Sequence, residues 1–282
     1  MEKKHQQGSH EWLELRKRFI GASDAPVIMG VSPYKTKRQL WEEKLGLISP
    51  MVNTRAIAYG LEMEPEARES YERVTGNIMV PEVVYHQQIP YMMASLDGLS
   101  IDRKIAVEIK NVCEADHEIA KLGVIPEKYI PQVQHQLSVL GIDMMHYFSY
   151  RKGDFALIEV KRDDKYIDRM CSMEKDFWDL VTNFKEPELS DRDFVVHDSL
   201  EWTTAAIEWR SVTTQINALE EREKECRETL VKLSDGHNSI GSGLKLTRTC
   251  RKGTVDYTRI QELQGVCVDN YRKDPVISWR FT

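Results

Sequence analysis

Glu108-Ile109-Lys110 sets a carboxylate and an ammonium on one face of a strand, about 7 Å apart by strand rise. Asp97 lies a short way upstream. Two carboxylates converging on one point repel unless a cation neutralises them, and oxygen donors of this kind suit Mg²⁺ or Mn²⁺. A lysine beside them can orient or deprotonate a water aimed at phosphorus. The set therefore reads as metal-assisted phosphodiester hydrolysis. Plainer alternatives stand beside this. Asp97-Gly98 is also a tight-turn dipeptide, and Glu108-x-Lys110 is also the pattern of a same-face ion pair on an exposed strand.

The elements that must position these groups follow from hydrophobic period. Residues 9–19 read as a short helix with Trp12, Leu15 and Phe19 on one face. Ser23-Asp24 before Ala-Pro-Val-Ile-Met is a helix start, with Pro26 in the first turn. Helices are expected over 36–45, closed by Gly46, and over 64–75, stopped by Gly76. The period then switches. Short strands are expected at 78–80, 83–86 and 92–95, a tight turn at Asp97-Gly98, and an alternating strand over 104–110. Helices over 114–122 and 131–140, strands over 145–151 and 155–160, and a helix over 165–184 complete the unit. A mixed sheet flanked by helices makes it α/β or, more narrowly, α+β.

Composition changes near residue 190. Residues 205–233 read as a long polar helix with a thin apolar seam: Ile207, Val212, Ile216, Leu219, Leu230 and Leu233. Such a seam is more often intrachain packing than an interface. Short β segments are expected at 244–249, 255–257 and 276–281. The expected division is a core over 1–188 and a helical and β extension over 189–282.

Bulk properties exclude several classes. The chain has 282 residues, 41% hydrophobic and 30% charged, enough for a core in a soluble protein. No run approaches the roughly 18 apolar residues of a membrane span, and the start Met1-Glu-Lys-Lys-His lacks a secretory pattern. Five scattered cysteines without a CxxC pair point to reduced thiols in a cytoplasmic protein and against zinc or iron–sulfur sites. His86, His117 and His135 have no metal-ligand spacing and are expected to be structural or exposed. The net charge of −6 weighs mildly against binding nucleic acid by bulk positive charge, although metals held by carboxylates can carry positive charge to phosphate.

Residues 94–110, Ala-Ser-Leu-Asp-Gly-Leu through Val-Glu-Ile-Lys, resemble the active-site signature of PD-(D/E)xK nucleases, and more narrowly the lambda-type phage exonuclease family (YqaJ-like viral recombinases). Other segments match in order over about residues 9–180. Trp12-x-x-Leu-Arg16 through Ile20-Gly-Ala-Ser23 resembles the amino-terminal motif, Gly60-Leu-Glu-Met-Glu64 the helical glutamate motif, and Pro131-Gln-Val-Gln134 the glutamine helix. Ser95 is the serine two residues before the aspartate. Two positions depart from the pattern: Gln87 stands where some members carry a further acid, and Leu96 where proline is common.

The resemblance implies a restriction-endonuclease-like core in which Asp97 and Glu108 bind metal, with the Ile109 carbonyl as a backbone ligand and Lys110 positioning or activating water. Glu64 would complete the acidic cluster and Gln134 would line the site. Arg16, Ser23 and Ser95 would bind the 5′-phosphate of the degraded strand. The implied activity is a Mg²⁺-dependent 5′→3′ exonuclease on double-stranded DNA ends, with Mn²⁺ as substitute. The implied partners are a single-strand annealing recombinase and a ring-like homo-oligomer, possibly a trimer, in a bacterial cytoplasm. A structure-specific or complex-associated endonuclease of the same fold, and a non-catalytic DNA-end-binding protein, are the rival readings.

Overall fold

The structure, a computed structural model, describes residues 10–49 and 55–249. It divides into two compact units, Met1–Val195 and Val196–Thr282. The first is α+β. Helix α1 (His10–Lys17) leads into a two-residue strand β1 (Ile20–Gly21), a 3-10 turn (Ala22–Asp24), and α2 (Ala25–Ile28) with Pro26 in its first turn. Helix α3 (Lys37–Lys44) is capped by Thr36, whose side chain accepts from the Gln39 amide while Gln39 returns the bond, a capping box. Gly46 (φ 72°) and Gly76 (φ 74°) end α3 and the 21-residue α4 (Arg55–Thr75) in the left-handed region.

Strands β2 (Met79–Tyr85), β3 (Met92–Ser100) and β4 (Ala106–Asn111) follow. Then come α5 (Glu114–Lys121), α6 (Ile130–Leu140), β5 (Met144–Arg151), β6 (Asp154–Lys161) and α7 (Asp164–Thr182). The sheet is mixed. Its path runs β1-β3-β4-β5-β6, with β2 on the other edge of β3. Tyr71 and Ala67 of α4 pack on one face against Met79, Val107, Ile109 and Phe148. On the other face Val133 and Leu137 of α6 pack against Ala94, Leu96, Leu99 and Ala106.

Two differences from the sequence reading bear on the site. The two short strands expected at 78–80 and 83–86 are one strand, β2. Asp97-Gly98 is not a turn but lies inside β3; the turn comes later, over 101–105, where Arg103 takes φ 60°. The register explains the misleading turn signal. Glu82 pairs with Leu96 and Val80 with Leu99, so Asp97 and Gly98 together stand opposite Pro81. This is a β-bulge, and Pro81, having no N–H, suits the unpaired position. Gly98 is required there: a Cβ would fall 2.7 Å from Met79 Cβ and 2.9 Å from Val107 Cγ1.

The second unit contains α8 (Leu200–Leu233) and a hairpin of β7 (Ser239–Gly241) and β8 (Leu244–Leu246). Ser242 (φ 49°) and Gly243 (φ 78°) make the hairpin turn, both at positive φ as a type I′ turn requires. Residues 190–193, placed in the extension on composition, are instead tied to the first unit. Arg192 donates to the carbonyls of Ser32 and Pro33, and Thr36 donates to Asp193. The β segments expected at 255–257 and 276–281 lie outside the described residues.

Candidate active site

Strand β3 is paired along one edge by β2 but only at its two ends on the other. There β1 pairs with Met92 and Met93, and β4 pairs with Gly98 and Leu99. Between these pairings, residues 94–97 face a gap where the strands part. Backbone groups in a gap must find other partners, and here side chains supply them. Asp97 accepts from the Ile109 N–H at 2.8 Å, taking the place of a ladder carbonyl. His135 Nε2 of α6 lies 3.0 Å from the Met93 carbonyl, and Gln136 Nε2 donates to the Ser95 carbonyl at 3.5 Å. The fork therefore exists because α6 and Asp97 take up the hydrogen bonds that a continuous sheet would have made.

Glu108 sits at the bottom of this gap, 2% exposed. Its Oε1 accepts from Gln132 and from Lys110 Nζ at 2.5 Å, and its Oε2 accepts from Gln136. Lys110 lies over the Tyr129 ring, 5.4 Å from its centroid. Burial pulls the Lys110 ammonium toward its neutral form, but the charges of Glu108 and Asp97 outweigh this and hold its pKa above the usual value. Asp97 moves the opposite way to a typical paired carboxylate. Burial, then the charge of Glu108, raise its pKa well above the ordinary value against the pull of Lys110 and the Ile109 N–H; Glu64 adds a further push. The cluster holds more acid than base. That surplus is what a bound cation relieves.

Across the gap lies a second cluster. Arg16 donates to Ser23 Oγ at 2.7 Å and to Asp24 at 3.0 Å, while its guanidinium stacks 4.9 Å from the Trp12 ring centroid. Asp24 is buried. It also accepts from the Gly21 N–H at 2.9 Å and from Lys44, which in turn donates to the carbonyls of Arg16 and Phe19. Burial would raise the Asp24 carboxyl, yet Lys44 and Arg16 drive it far below the usual range. Two cations meet one anion, so this cluster carries a positive surplus. Ser95 lies on β3 two residues past the Gly21–Met93 pair, and Ser23 two residues past it on the β1 side.

Not every expected residue reaches the site. Gln134 is turned away: its amide donates to the Lys161 carbonyl at 2.9 Å and accepts from the Asp163 N–H at 3.0 Å, tying α6 to the end of β6. On a helix, residues two apart point about 200° apart, whereas residues four apart share a face. Gln132 and Gln136 therefore share the Glu108 face and Gln134 cannot. The i,i+4 glutamine pair was the available signal. Glu64 is held by Arg68 one turn along α4. Among the described residues no three His, Cys, Asp or Glu side chains come together as a metal-holding group, although the Glu64 charge still acts on Asp97. The Ile109 N–H is bonded to Asp97.

Two further buried groups support the frame. His135 and Glu174, both 0% exposed, pair at 2.7 Å and bind α6 to α7. Both ring nitrogens of His135 face acceptors, the second being the Met93 carbonyl, so the ring is held as an imidazolium. His117, from α5, bonds Ser149 of β5 at 2.7 Å. Both histidines are structural.

Residues 11–143 match the YqaJ-like viral recombinase domain, a span that takes in both clusters and the gap between them. The match is a likeness over just under half of the chain. Over 192 residues it is 31% identical to the YqaJ protein of Bacillus subtilis (strain 168), covering 64% of this chain and 58% of that protein. The chain thus matches under two thirds of that relative's length. Among solved structures, this chain superposes on the alkaline exonuclease LHK-Exo from Laribacter hongkongensis with a TM-score of 0.55 and 26% identity, over 63% of this chain and 94% of that one. LHK-Exo in complex with dAMP gives 0.55 and 25%, with the same coverage. The restriction-endonuclease-like fold anticipated from the sequence is therefore present.

Proposed function

We propose that this chain is a Mg²⁺-dependent exonuclease that degrades one strand of linear double-stranded DNA from its 5′ end. It would thereby expose single strand for recombination by a single-strand annealing partner. One observation carries the reading. An acid-surplus cluster (Asp97, Glu108, Lys110) and a cation-surplus cluster (Arg16, Ser23, Asp24, Lys44) flank the same gap in β3. The first suits a divalent cation and the second a phosphate, and a nuclease that starts at a phosphorylated end needs both. The YqaJ-like domain and the likeness to an alkaline exonuclease support the same activity.

The donor set fits Mg²⁺. Asp97 and Glu108 would hold it with the Ile109 carbonyl, and a cation that keeps several waters and takes one or two carboxylates needs no third acid. Gln136 Oε1 supports the fit, since it is buried and accepts nothing among the described residues, leaving an acceptor for a metal-bound water. When bound, Mg²⁺ supplies Lewis acidity and an acidified water. Lys110, kept protonated by Glu108 and Asp97, orients the attacking water and stabilises charge at phosphorus as a donor rather than a base. Gln132 and Gln136 hold Glu108 in place. Arg16 and Ser23 receive the terminal phosphate, with Ser95 beside them on β3. A homo-oligomeric ring around the duplex completes the reading.

The test is linear duplex labelled at either end, with Mg²⁺, Mn²⁺ or EDTA, beside a closed circle. The 5′ label leaves first, EDTA stops the reaction, and the circle stays intact; cutting of the circle, or first loss from the 3′ end, overturns the reading. Arg16→Ala slows 5′-phosphorylated ends by about 10- to 100-fold, the scale of a charged hydrogen bond. Hydroxyl ends change little. Equal loss on both ends removes the phosphate role.

A further inference from the structure

Tyr34 is 69% exposed. A lone exposed apolar side chain needs no explanation; what sets this one apart is how it is held. Lys128 Nζ donates to its hydroxyl at 3.1 Å and lies 5.4 Å from its ring centroid. The same ammonium lies 5.2 Å from the centroid of the Tyr129 ring, which in turn lies under the Lys110 ammonium at 5.4 Å. Two lysines and two tyrosines thus alternate in one row, from the candidate catalytic lysine out to the surface. The backbone around Tyr34 is fixed as well. Its N–H donates to Ser32 Oγ at 3.3 Å, and Arg192 donates to the Ser32 and Pro33 carbonyls at 2.7 and 2.8 Å. Thr36, buried, donates to Asp193. Pro33 restricts its own φ.

We propose that Tyr34 is a stacking platform for an unpaired base of the DNA strand entering the site, with Lys128 and residues 190–193 as its mounts. The proposal rests on the nuclease reading and adds to it a residue outside both charged clusters. Position favours it. Contacts of 5.4, 5.2 and 5.4 Å lead from Lys110 to Tyr34, so the ring lies within a few nucleotides of the reacting phosphate, at about 3.4 Å of strand per base. Charge defines the division of labour. Asp116 meets Lys128 at 2.6 Å, so this lysine's charge is already matched and its part is to hold two rings rather than to bind phosphate. A ring on fixed backbone loses little freedom when a base covers it. Every base has a π-face, so such a platform accepts any sequence, as an enzyme working along a strand requires. A base inside a duplex has both faces covered by its neighbours, which restricts the ligand to an unpaired one.

The test is binding of the full chain, in EDTA, to a duplex with a 5′-phosphorylated single-stranded end, read by fluorescence anisotropy. An abasic site is moved one nucleotide at a time along that end. Tyr34→Ala should weaken binding of the intact strand by about 5- to 100-fold, the scale of one base stacked on one aromatic ring. At one abasic position Tyr34→Ala and the unsubstituted chain should bind alike, because there the ring has no base to lose. Tyr34→Phe keeps the ring and should bind the intact strand within a few-fold of the unsubstituted chain. A merely structural role would cost every strand equally, abasic or intact, and overturns the proposal. So does an unchanged affinity in Tyr34→Ala, or a loss in Tyr34→Phe as large as in Tyr34→Ala. Each of these leaves the nuclease reading standing, since the unsubstituted chain still binds the DNA end. An unsubstituted chain that binds no DNA end overturns both.

Discussion

The protein builds two buried lysine–carboxylate clusters on either side of one gap and balances them oppositely. Around Asp24 every oxygen is bonded, two cations face one anion, and the carboxyl is driven down. Around Glu108 one lysine faces two carboxylates, and Asp97 is driven up. The contrast teaches that burial alone does not decide what a charged cluster does. Both clusters are buried, yet one has its acid fully met within the fold while the other keeps a surplus of acid.

The sharpest way to break this contrast is to remove the lysine from each. Lys110→Ala should lower strand degradation by about 10²–10³-fold, the range for losing one donor that stabilises transition-state charge, with duplex affinity within a few-fold, measured by initial rates and fluorescence anisotropy. Full activity would end the proposed role. Lys44→Met should act on stability instead. Stranding Asp24 in the interior costs about 3–5 kcal/mol when a buried partner is lost, read from the urea midpoint. An unfolding midpoint unchanged by Lys44→Met would show that the second cluster is no structural anchor.

The two faces of α6 give a finer comparison. Gln132→Leu or Gln136→Leu should lower the rate roughly tenfold by loosening Glu108. Gln134→Leu should leave the rate alone and cost about 1–3 kcal/mol, because the Lys161 carbonyl and Asp163 amide lose their partner. Rate loss from Gln134→Leu with stability intact would reverse the assignment.

The smallest effect is that of pH on the frame. Burial opposes the charge on His135, but Glu174 outweighs it and raises the pKa above 6.5. A histidine raised on folding stabilises most below its unfolded value, so this contribution is whole below about pH 6.5 and fades as pH climbs through the raised folded value. The melting temperature of His135→Gln should therefore converge on that of the unsubstituted chain at alkaline pH and diverge at acid pH. A gap that widens with alkalinity would show that His135 is buried neutral.

Part of the candidate site's arrangement was legible in the sequence. Asp97, Glu108 and Lys110 were readable because strand alternation places 108 and 110 on one face whatever surrounds them. Capping and stop signals placed α3 and the end of α4, because Thr36, Gly46 and Gly76 act on neighbouring backbone only. Other features were not local. Asp97-Gly98 read as a turn because the dipeptide's backbone freedom serves a bulge as well as a turn, and only Pro81 on the facing strand distinguishes them. Lys44 gave no sign of its partner, since Asp24 lies twenty residues away in sequence.

The amino-acid sequence by itself determined which side chains share a face: the carboxylate and lysine of β4, and the glutamine pair of α6. Periodicity needs only the chain's own geometry. The tertiary structure decided which faces meet. It parted β1 and β4 along β3, turned Gln134 outward and Gln132 inward, and held Glu64 with Arg68. Those outcomes depend on hydrogen bonds and burial between distant segments, which no local spacing encodes.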